Sequence, residues 1–560
     1  MRKALLIDLF ALPEYDISLA LGYLKSYADA DPAVKAAWQI ELMHFPVDTP
    51  PQDIVAAIER SGPALVGFSC YSWNIRSVEK VLAKLPNRED RLVALGGIEV
   101  TPDPAGYMKA NPVVDLVVFG EGEVTFREIL DRLKDGVDRF GPATMEGLQG
   151  VCWRDGRHVR RNTARPPIAD LDTVPSPYLT GAYGDILKGQ DRVMVETTRG
   201  CPYTCTFCFE PRGFARVRSF GLERAKAEVE YIVKSGVKEV VFLDTNFNMD
   251  RPRAVEMWKF LDALGGRVRY AFELRGELLD AEQARALSAL DYFAEIGLQS
   301  IHKKSLDAVK RWYEPDRFAN GVSGLLEAGI YRPCAHSGHG GVSVDLMMGL
   351  PHETVEHLLA SFDFVFALSP STVVLTMTKI LPGTELYDDA KKFRYEFDVN
   401  AQYEMTGSTT VTRKDIGDMV RFRDAVEFAY NRLHAVRTIG WLAEGLGTRP
   451  SAIYMDLGRR MAIPGTAPAA FTVDDLGRFL AEIASDRGRA DLGKAVVDKL
   501  SSEDLLNRLQ RNREARRSWW ANLVFRVGHR LLTRFGGLPP LPKPGPAPVL
   551  NDAPEGAAVA

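Results

Sequence analysis

The sequence predicts an α/β protein built from two successive series of strands and helices, followed by a helical C-terminal region. Short apolar segments rich in Val, Leu, Ile and Phe alternate with amphipathic segments over residues 1–150, and the alternation resumes over residues 186–410. Continuous apolar strands separated by amphipathic helices are typical of parallel sheets that are covered on both faces. From residue 411 onward the apolar residues recur at helical spacing, which predicts the third region.

The first series contains five apolar segments that each end at Gly, Pro or a polar residue. These predicted strands are residues 3–9, 38–45, 64–70, 91–97 and 115–120. Five strands alternating with helices predict a doubly wound, Rossmann-like domain over residues 1–150. Ligands of such domains bind at the carboxyl ends of the strands, so the residues that follow each strand are candidates for a binding site.

A hairpin and a linker are predicted at residues 151–185. Asp155-Gly156 stands between two β-prone arms, which is a strong signal for a hairpin turn. The stretch that follows, residues 165–178, can be neither regular helix nor central strand because it contains four prolines. These are Pro166, Pro167, Pro175 and Pro177.

The second series, residues 186–410, predicts a partial (β/α)6 barrel. Its predicted strands are residues 193–198, 237–246, 270–275, 293–300, 342–350 and 372–380. In barrels of this kind the chemistry gathers at the carboxyl ends of the strands. The residues at the ends of these six segments are therefore the second set of candidates.

The C-terminal region is predicted to be helical over residues 411–536, with a disordered tail at residues 537–560 that is rich in Pro, Gly and Ala. Within it, residues 511–535 are predicted to form one basic amphipathic helix, in which arginines are interleaved with Trp, Leu and Val. Such a helix either contacts an anionic membrane or docks its apolar face on the barrel, and the sequence leaves both readings open.

Composition limits the remaining classes of protein. The 560 residues carry 70 Lys and Arg against 74 Asp and Glu, a net charge of −4, which gives no reason to expect a nucleic-acid partner. Six cysteines are too few for a disulfide scaffold and are typical of a reducing compartment. No run of roughly 18 apolar residues is present, so no transmembrane helix is expected. We therefore expect a cytoplasmic protein.

Three of the six cysteines lie close together in the stretch ETTRGCPYTCTFCFE. Cys201, Cys205 and Cys208 have the spacing C-x3-C-x2-C directly after a predicted strand. Cysteine thiolates hold iron–sulfur clusters, and three ligands leave one iron of a 4Fe–4S cluster open to another molecule. The alternatives are a zinc site, which normally needs a fourth ligand, and three unrelated thiols.

This cysteine motif, at the end of the first strand of a strand–helix series, resembles the radical S-adenosylmethionine (SAM) superfamily. The resemblance implies a 4Fe–4S cluster on the three cysteines, SAM chelated to the open iron, and a 5′-deoxyadenosyl radical formed from SAM. It also implies SAM-binding residues at the ends of the next three strands, and these are Asp244, Asn246, Glu273, Arg275 and Gln299. For each of these five residues alone, a structural role in the barrel rim is an equal alternative.

Three segments of the first series lie at the carboxyl ends of predicted strands. They resemble the cobalamin-binding domain that precedes many radical SAM barrels. The residues concerned are Ser69, Tyr71, Trp73, Gly96, Gly97, Gly120, Glu121, Gly122 and Glu123. Glycine at such positions lets the backbone approach a bulky cofactor closely. The Asp-x-His-x-x-Gly motif is missing, so the resemblance implies cobalamin without a histidine on its lower face. The alternative is a Rossmann-like domain with purely structural glycines.

The resemblance implies a cobalamin-dependent radical SAM enzyme. The expected reaction is transfer of a methyl group from methylcobalamin to an unactivated carbon, or to phosphorus, of a small molecule, lipid or tetrapyrrole. The alternatives are a cyclisation or rearrangement without methyl transfer and a non-catalytic cobalamin or redox sensor. An electron donor such as flavodoxin or ferredoxin is the expected partner, while the catalytic residues stay unassigned.

Overall fold

The computed structural model describes residues 1–12, 17–86, 90–209, 216–265, 268–329, 341–463 and 467–516. The chain divides into two compact units. The first comprises Met1–Thr245 with Leu381–Asp388 and Val399–Tyr403, and the second comprises the remaining described residues. Each unit is described by itself.

The first unit contains a seven-stranded sheet with the order β2-β1-β3-β4-β5-β6-β7. Its strands are β1 (Arg2–Phe10), β2 (Trp38–Pro46), β3 (Leu65–Ser69), β4 (Leu92–Gly96), β5 (Leu116–Val118), β6 (Val151–Asp155) and β7 (His158–Arg161). Strands β1 to β5 are parallel, as predicted from their continuous apolar segments. Side chains alternate between two buried cores along β1, where Leu5 and Ile7 belong to one core and Ala4 and Leu6 to the other.

Helices connect and cover these strands. They are Leu19–Asp29, Pro32–Ala37, Pro51–Ser61, Ile75–Leu82, Pro104–Ala110, Glu123–Arg132 and Pro142–Met145, with short 3-10 turns at Val137–Arg139, Leu171–Thr173 and Gly184–Leu187. The presence of a core on each face of a parallel sheet is what defines a doubly wound domain.

The predicted hairpin at residues 151–161 extends the first sheet. Strand β6 pairs antiparallel with β5, and β7 pairs antiparallel with β6. Gly156 adopts a φ of +57°, as the predicted Asp-Gly turn requires. The apolar inner residues Cys152 and Trp153 are fully buried, which explains why the hairpin packs as part of the sheet. The residue limits of the domains stay a prediction.

The second strand–helix series is present in both units. The first unit contains β8 (Arg192–Val195) parallel to β11 (Glu239–Phe242), and β9 (Thr198–Arg199) antiparallel to β10 (Arg218–Ser219). The second contains the parallel strands β12 (Arg269–Leu274), β13 (Asp291–Gln299), β14 (Gly341–Met348) and β15 (Thr372–Met377), and the antiparallel pair β16 (Glu396–Asp398) and β17 (Glu404–Gly407). The helices of this series are Leu222–Lys234, Arg251–Leu264, Ala281–Leu287, Lys303–Ala308, Pro315–Gly329, Val355–Leu368 and Glu385–Asp388, with a 3-10 turn at Gly276–Leu278.

The C-terminal region is helical, as predicted. Its helices are Arg413–Ala425, Val436–Gly445, Pro450–Met461, Val473–Asp486 and Ala490–Arg516, with a π-helix at Val426–Arg432 and a 3-10 turn at Pro468–Ala470. The buried carboxylate of Glu503 accepts the backbone N–H groups of Arg437 and Thr438, each at 2.9 Å, and so caps the start of a neighbouring helix.

The predicted basic helix at residues 511–535 lies only in part within the described residues, because the last described helix ends at Arg516. Residues 517–535 and the predicted disordered tail at residues 537–560 lie outside them. Within the described part of the chain, no helix is both long enough and apolar enough to cross a bilayer.

Candidate functional site

A cavity of about 810 Å³ opens at the carboxyl ends of β1, β3, β4 and β5 in the first unit. Cofactor pockets have volumes of roughly 300–1,000 Å³. The nine residues predicted to bind cobalamin all line it: Ser69, Tyr71, Trp73, Gly96, Gly97, Gly120, Glu121, Gly122 and Glu123. They converge because the carboxyl ends of neighbouring parallel strands meet at one edge of the sheet.

Aromatic and aliphatic side chains form an exposed apolar wall of this cavity. The rings of Tyr71 and Trp73 stack with centroids 4.3 Å apart and planes within 5°. Trp73 is 42% exposed, and Leu12 and Ile98, which also line the cavity, are 53% and 40% exposed. Large apolar side chains that are left exposed in a concave site indicate a ligand that covers them. Parallel rings suit a ligand with a flat face.

Two positions at the rim of the cavity are glycine, and their backbone geometry shows what a larger residue would change there. A Cβ added to Gly97 would lie 2.4 Å from the carbonyl oxygen of Cys70, and the φ of +112° also excludes other residues. Gly120 has a φ of +82°, and a Cβ added there would meet no atom within 4 Å. The first glycine permits close backbone packing, while the second leaves open space at the rim. Together with the apolar wall, these features fit a bulky, flat cofactor such as cobalamin.

The carboxylates of Glu121 and Glu123 bind arginines, and the predicted contact of these two residues with the cofactor stays a prediction. Arg199 lies 2.7 Å from Glu123 through Nη2 and 3.3 Å from Glu121 through Nη1. Arg218 donates from Nη1 to Glu121 Oε2 at 3.0 Å. All four side chains are at least nine-tenths buried. The two glutamates therefore hold the backbone that leads into the cysteine motif, because Arg199 stands only two residues before Cys201.

Glu196 adds a third carboxylate to Arg199, at 2.8 Å from its Nε, and also lines the cavity. Burial raises the pKa of Glu196 to about 7, and the carboxylates of Glu123 and Asp244 add to the rise, while Arg199 opposes it. Glu196 is therefore a titratable group between the cavity and the cysteine motif.

The predicted cluster ligands Cys201, Cys205 and Cys208 lie on one loop and form no disulfide. Cys201 and Cys205 are buried and Cys208 is partly exposed. Backbone hydrogen bonds hold the loop: Cys208 N–H donates to the Cys205 carbonyl at 3.1 Å, and Leu386 N–H donates to the Thr206 carbonyl at 2.8 Å. Gly200, which precedes the loop, lines the cavity.

Among the residues that the structure describes, no three His, Cys, Asp or Glu side chains converge on a point that would hold a single metal ion. The role of the three cysteines as ligands of a 4Fe–4S cluster stays a prediction.

Asp244, predicted to contact SAM, fixes the end of β8. Its carboxylate accepts the backbone N–H of Thr197 at 2.9 Å, the Thr197 hydroxyl at 2.6 Å and the Thr198 hydroxyl at 2.7 Å. Asp244 is only 1% exposed. Because Thr198 lines the cavity, Asp244 shapes the cavity wall through this threonine.

Carboxylates line neighbouring strands of the second unit. Glu273 on β12 lies in register with Glu295 on β13, and both side chains are exposed. Burial raises the pKa of Asp345 on β14 well above its usual range, and the negative charge of Glu295 and a hydrogen bond to it raise this pKa further. Glu273 thus has the exposure that its predicted contact with SAM needs, and that contact stays a prediction.

The other predicted SAM contacts in the second unit have different surroundings. Arg275 is buried, and its guanidinium donates to Glu277 at 2.6 Å and to the Trp312 carbonyl at 3.0 Å. Gln299 has a φ of +74° at an irregular register between β13 and β14, and such strain is common at functional sites. Asn246 is half-buried. The contacts of Arg275 favour a structural role, whereas Gln299 stays a candidate ligand.

Sequence reasoning missed Asp8, Glu196, Arg199 and Arg218. Asp8 and Glu196 each had a signal, because each is an acid at the end of an apolar strand segment. The two arginines had no such signal, since their partner Glu121 lies 78 and 97 residues away in sequence.

Comparison with protein families gives two matches that agree with this geometry. The radical SAM superfamily model matches residues 195–365, which contain the cysteine loop. The B12 binding domain model matches residues 30–130, which contain the ends of β3, β4 and β5.

Curated relatives include three proteins named as methyltransferases. An uncharacterised methyltransferase of Pyrococcus horikoshii, PH0819, is 26% identical over 60% of this chain and 72% of its own length. The 2-(S-pantetheinyl)-carbapenam-3-carboxylate methyltransferase of Streptantibioticus cattleyicolor is 31% identical over 59% and 54%. The cobalamin-dependent radical SAM methyltransferase TokK of Streptomyces tokunonensis is 30% identical over 56% and 43%. The match thus spans only about half the length of the last two.

Solved structures share the fold at low sequence identity. The cobalamin-dependent SAM radical enzyme OxsB with aqua-cobalamin bound has a TM-score of 0.60 at 14% identity, over 96% of this chain and 84% of that one. The radical SAM methyltransferase TsrM from Kitasatospora setae, with cobalamin and a 4Fe–4S cluster bound, has a TM-score of 0.55 at 18% identity, over 70% and 75%.

These matches, with the cysteine loop and the adjoining cavity, define a radical SAM enzyme that carries a B12-binding domain. More narrowly, the chain combines a radical SAM domain with a B12-binding domain, and the cofactors of these two domains are a 4Fe–4S cluster, SAM and cobalamin. The fold class predicted from the sequence is confirmed.

Proposed function

We propose that this enzyme transfers a methyl group from cobalamin to an unactivated carbon, or to phosphorus, of a small molecule, lipid or tetrapyrrole. One observation carries the proposal. The cavity lined by the predicted cobalamin residues also reaches Thr198, Gly200 and Thr245, and Gly200 directly precedes Cys201. A cobalamin in this cavity and a cluster on the adjacent loop would therefore lie close together.

The residues of the first unit position this site. The ion pairs of Arg199 with Glu121 and Glu123 fix the segment before the cysteines, and Asp244 fixes Thr197 and Thr198. The stacked rings of Tyr71 and Trp73 form an exposed apolar wall on one side of the cavity, which a bound cofactor would cover. When bound, the cluster and SAM supply a radical that removes hydrogen from carbon, and cobalamin supplies the methyl group. The protein contributes orientation and exclusion of side reactions.

The names of the relatives support methyl transfer over the alternatives. Three are named as methyltransferases, among them a cobalamin-dependent one. A cyclisation without methyl transfer stays the second candidate, because the anaerobic magnesium-protoporphyrin IX monomethyl ester cyclase of Rubrivivax gelatinosus is also related, at 24% identity over 66% of this chain. An electron donor such as flavodoxin or ferredoxin is proposed as the partner.

A test that needs no substrate uses SAM with a trideuterated methyl group. The anaerobic, reduced holoenzyme is incubated with it, and S-adenosylhomocysteine, 5′-deoxyadenosine and the mass of the extracted cobalamin are measured. We expect labelled cobalamin together with both SAM products. Formation of 5′-deoxyadenosine alone would favour the cyclase, and formation of neither SAM product would favour a sensor. Cys201→Ala is the control, since it should lose 5′-deoxyadenosine while still binding cobalamin.

A further inference from the structure

Asp8 is a buried acid on the cavity side of β1. Alternate residues of this strand face opposite sides of the sheet. Leu6, Asp8 and Phe10 therefore line the cavity on one face, whereas Ile7 and Leu9 belong to the core on the other face. Asp8 is 8% exposed, so more than nine-tenths of this acidic residue is buried. A charged residue at such a depth needs polar partners, because water cannot solvate it.

Within the described residues, one oxygen of the Asp8 carboxyl group has no hydrogen-bond partner. The backbone N–H of Leu9 contacts it, while its Oδ1 has no hydrogen-bond partner. Burial raises the pKa of Asp8 to about 6, and the Leu9 N–H opposes the rise. The neighbouring His44 of β2 accepts the backbone N–H of Ser18 through Nε2 at 3.2 Å. Buried polar atoms are rarely left unpaired in native proteins, so an incompletely paired carboxyl group on a residue that lines a cavity indicates a ligand that donates to this group.

We infer that the Asp8 carboxylate accepts a hydrogen bond from a carboxamide N–H group at the edge of bound cobalamin. The inference rests on the proposed use of this cavity for cobalamin. An ionised carboxylate can only accept hydrogen bonds, and the acetamide and propionamide side chains of the corrin ring carry neutral N–H donors around its edge. The phosphate of the nucleotide loop would repel Asp8. Contact with a carboxamide also favours the charged carboxylate, which the cavity alone disfavours.

The test compares two corrinoids, each measured against wild type with the same ligand. Hydroxocobalamin carries carboxamides, whereas heptamethyl cobyrinate carries methyl esters in their place, lacks the nucleotide loop and donates no N–H bond. Binding of each to full-length protein is measured by ultrafiltration and corrin absorbance. Asp8→Leu should weaken hydroxocobalamin binding roughly 10- to 100-fold, the range for a hydrogen bond to a charged group. Binding of heptamethyl cobyrinate should stay within about twofold of wild type, because that ligand has no bond to lose.

Two further variants serve as controls, one for the charge of Asp8 and one for the fold of the domain. Asp8→Asn keeps an acceptor oxygen without the charge, so its loss of hydroxocobalamin affinity should be smaller than that of Asp8→Leu. Asp115→Asn is the matched control in the same domain, because burial also raises the pKa of Asp115 to about 6, its carboxylate accepts the Val93 N–H at 2.8 Å, and it does not line the cavity. Asp115→Asn should leave the affinity unchanged.

The outcomes separate this inference from the proposed function. Wild-type affinity in Asp8→Leu overturns the inference, and so does an equal loss for both ligands, which would mean that Asp8 only supports the fold. A wild-type protein that fails to bind hydroxocobalamin overturns the proposed function itself.

Discussion

Substitution of Arg199 by Met tests whether the ion pairs before the cysteine loop hold the first unit together. The guanidinium has three carboxylate partners, Glu121, Glu123 and Glu196, at 3.3, 2.7 and 2.8 Å. Its side chain is 10% exposed, so solvent screens these pairs weakly. Met retains most of the volume and removes the charge. The variant therefore leaves a group of buried carboxylates with less positive charge beside it.

The expected loss of stability follows from this burial. Removal of one partner of a buried ion pair costs about 3–5 kcal/mol, because the remaining charge stays desolvated and uncompensated. For a folded unit of about 150–250 residues, each kcal/mol shifts the melting temperature by about 2–4 °C. The Arg199→Met variant should therefore melt roughly 6–20 °C below wild type at neutral pH. Circular dichroism of full-length protein at equal cofactor loading measures the change.

Lys238→Met is the matched control, directly before strand β11. Lys238 pairs with Asp191 at 2.7 Å, but both side chains are exposed, at 56% and 69%, and this pair stands outside the cavity. Solvent-exposed single pairs contribute about 0–1 kcal/mol. The control should melt within about 4 °C of wild type. Equal melting temperatures for the two variants would refute the reasoning, because burial and the number of partners would then make no difference.

Four further predictions follow from the site. A Cys201, Cys205, Cys208 triple Ala variant should lose nearly all of the roughly four irons expected for reconstituted protein, and unchanged iron would contradict the cluster assignment. Electron paramagnetic resonance of the cob(II)alamin form should lack nitrogen splitting from histidine, and its presence would contradict the predicted lower face. Glu273→Ala should weaken SAM binding roughly 10- to 100-fold by equilibrium dialysis, and wild-type affinity would remove Glu273 from the site. Because the pKa of Glu196 is raised from 4.5 to about 7, stability should fall as pH rises through this interval. Glu196→Gln should flatten this dependence in urea unfolding, and an unchanged pH profile would show that another group titrates.

Local patterns in the sequence predicted the strands and the residues around the cavity. The glycines and aromatic residues that line it follow apolar segments, and parallel topology then forces strand ends to one edge. The sequence could not show what each polar side chain binds. Glu121 and Arg275 are both polar residues at strand ends, but one binds distant arginines and the other binds Glu277 and a carbonyl group. Pairings over such distances depend on packing, which no local pattern contains.

The Arg199 ion pairs also raise the question of why charged residues occupy a buried position before the cysteine loop. Apolar residues of similar volume are often equally stable or more stable than a buried ion pair, so stability alone does not require these charges. Orientation offers a physical reason, because the planar guanidinium fixes carboxylates in direction as well as distance. Glu121 and Glu123 belong to the segment after β5 that lines the cavity, and Arg199 belongs to the segment that leads to Cys201. The ion pairs therefore join these two segments. A double-mutant cycle of Arg199→Met with Glu123→Gln measures this coupling. Partial recovery of stability in the double variant is expected, because the second substitution removes the charge that the first leaves unpaired. Additive losses would mean that the two residues act independently.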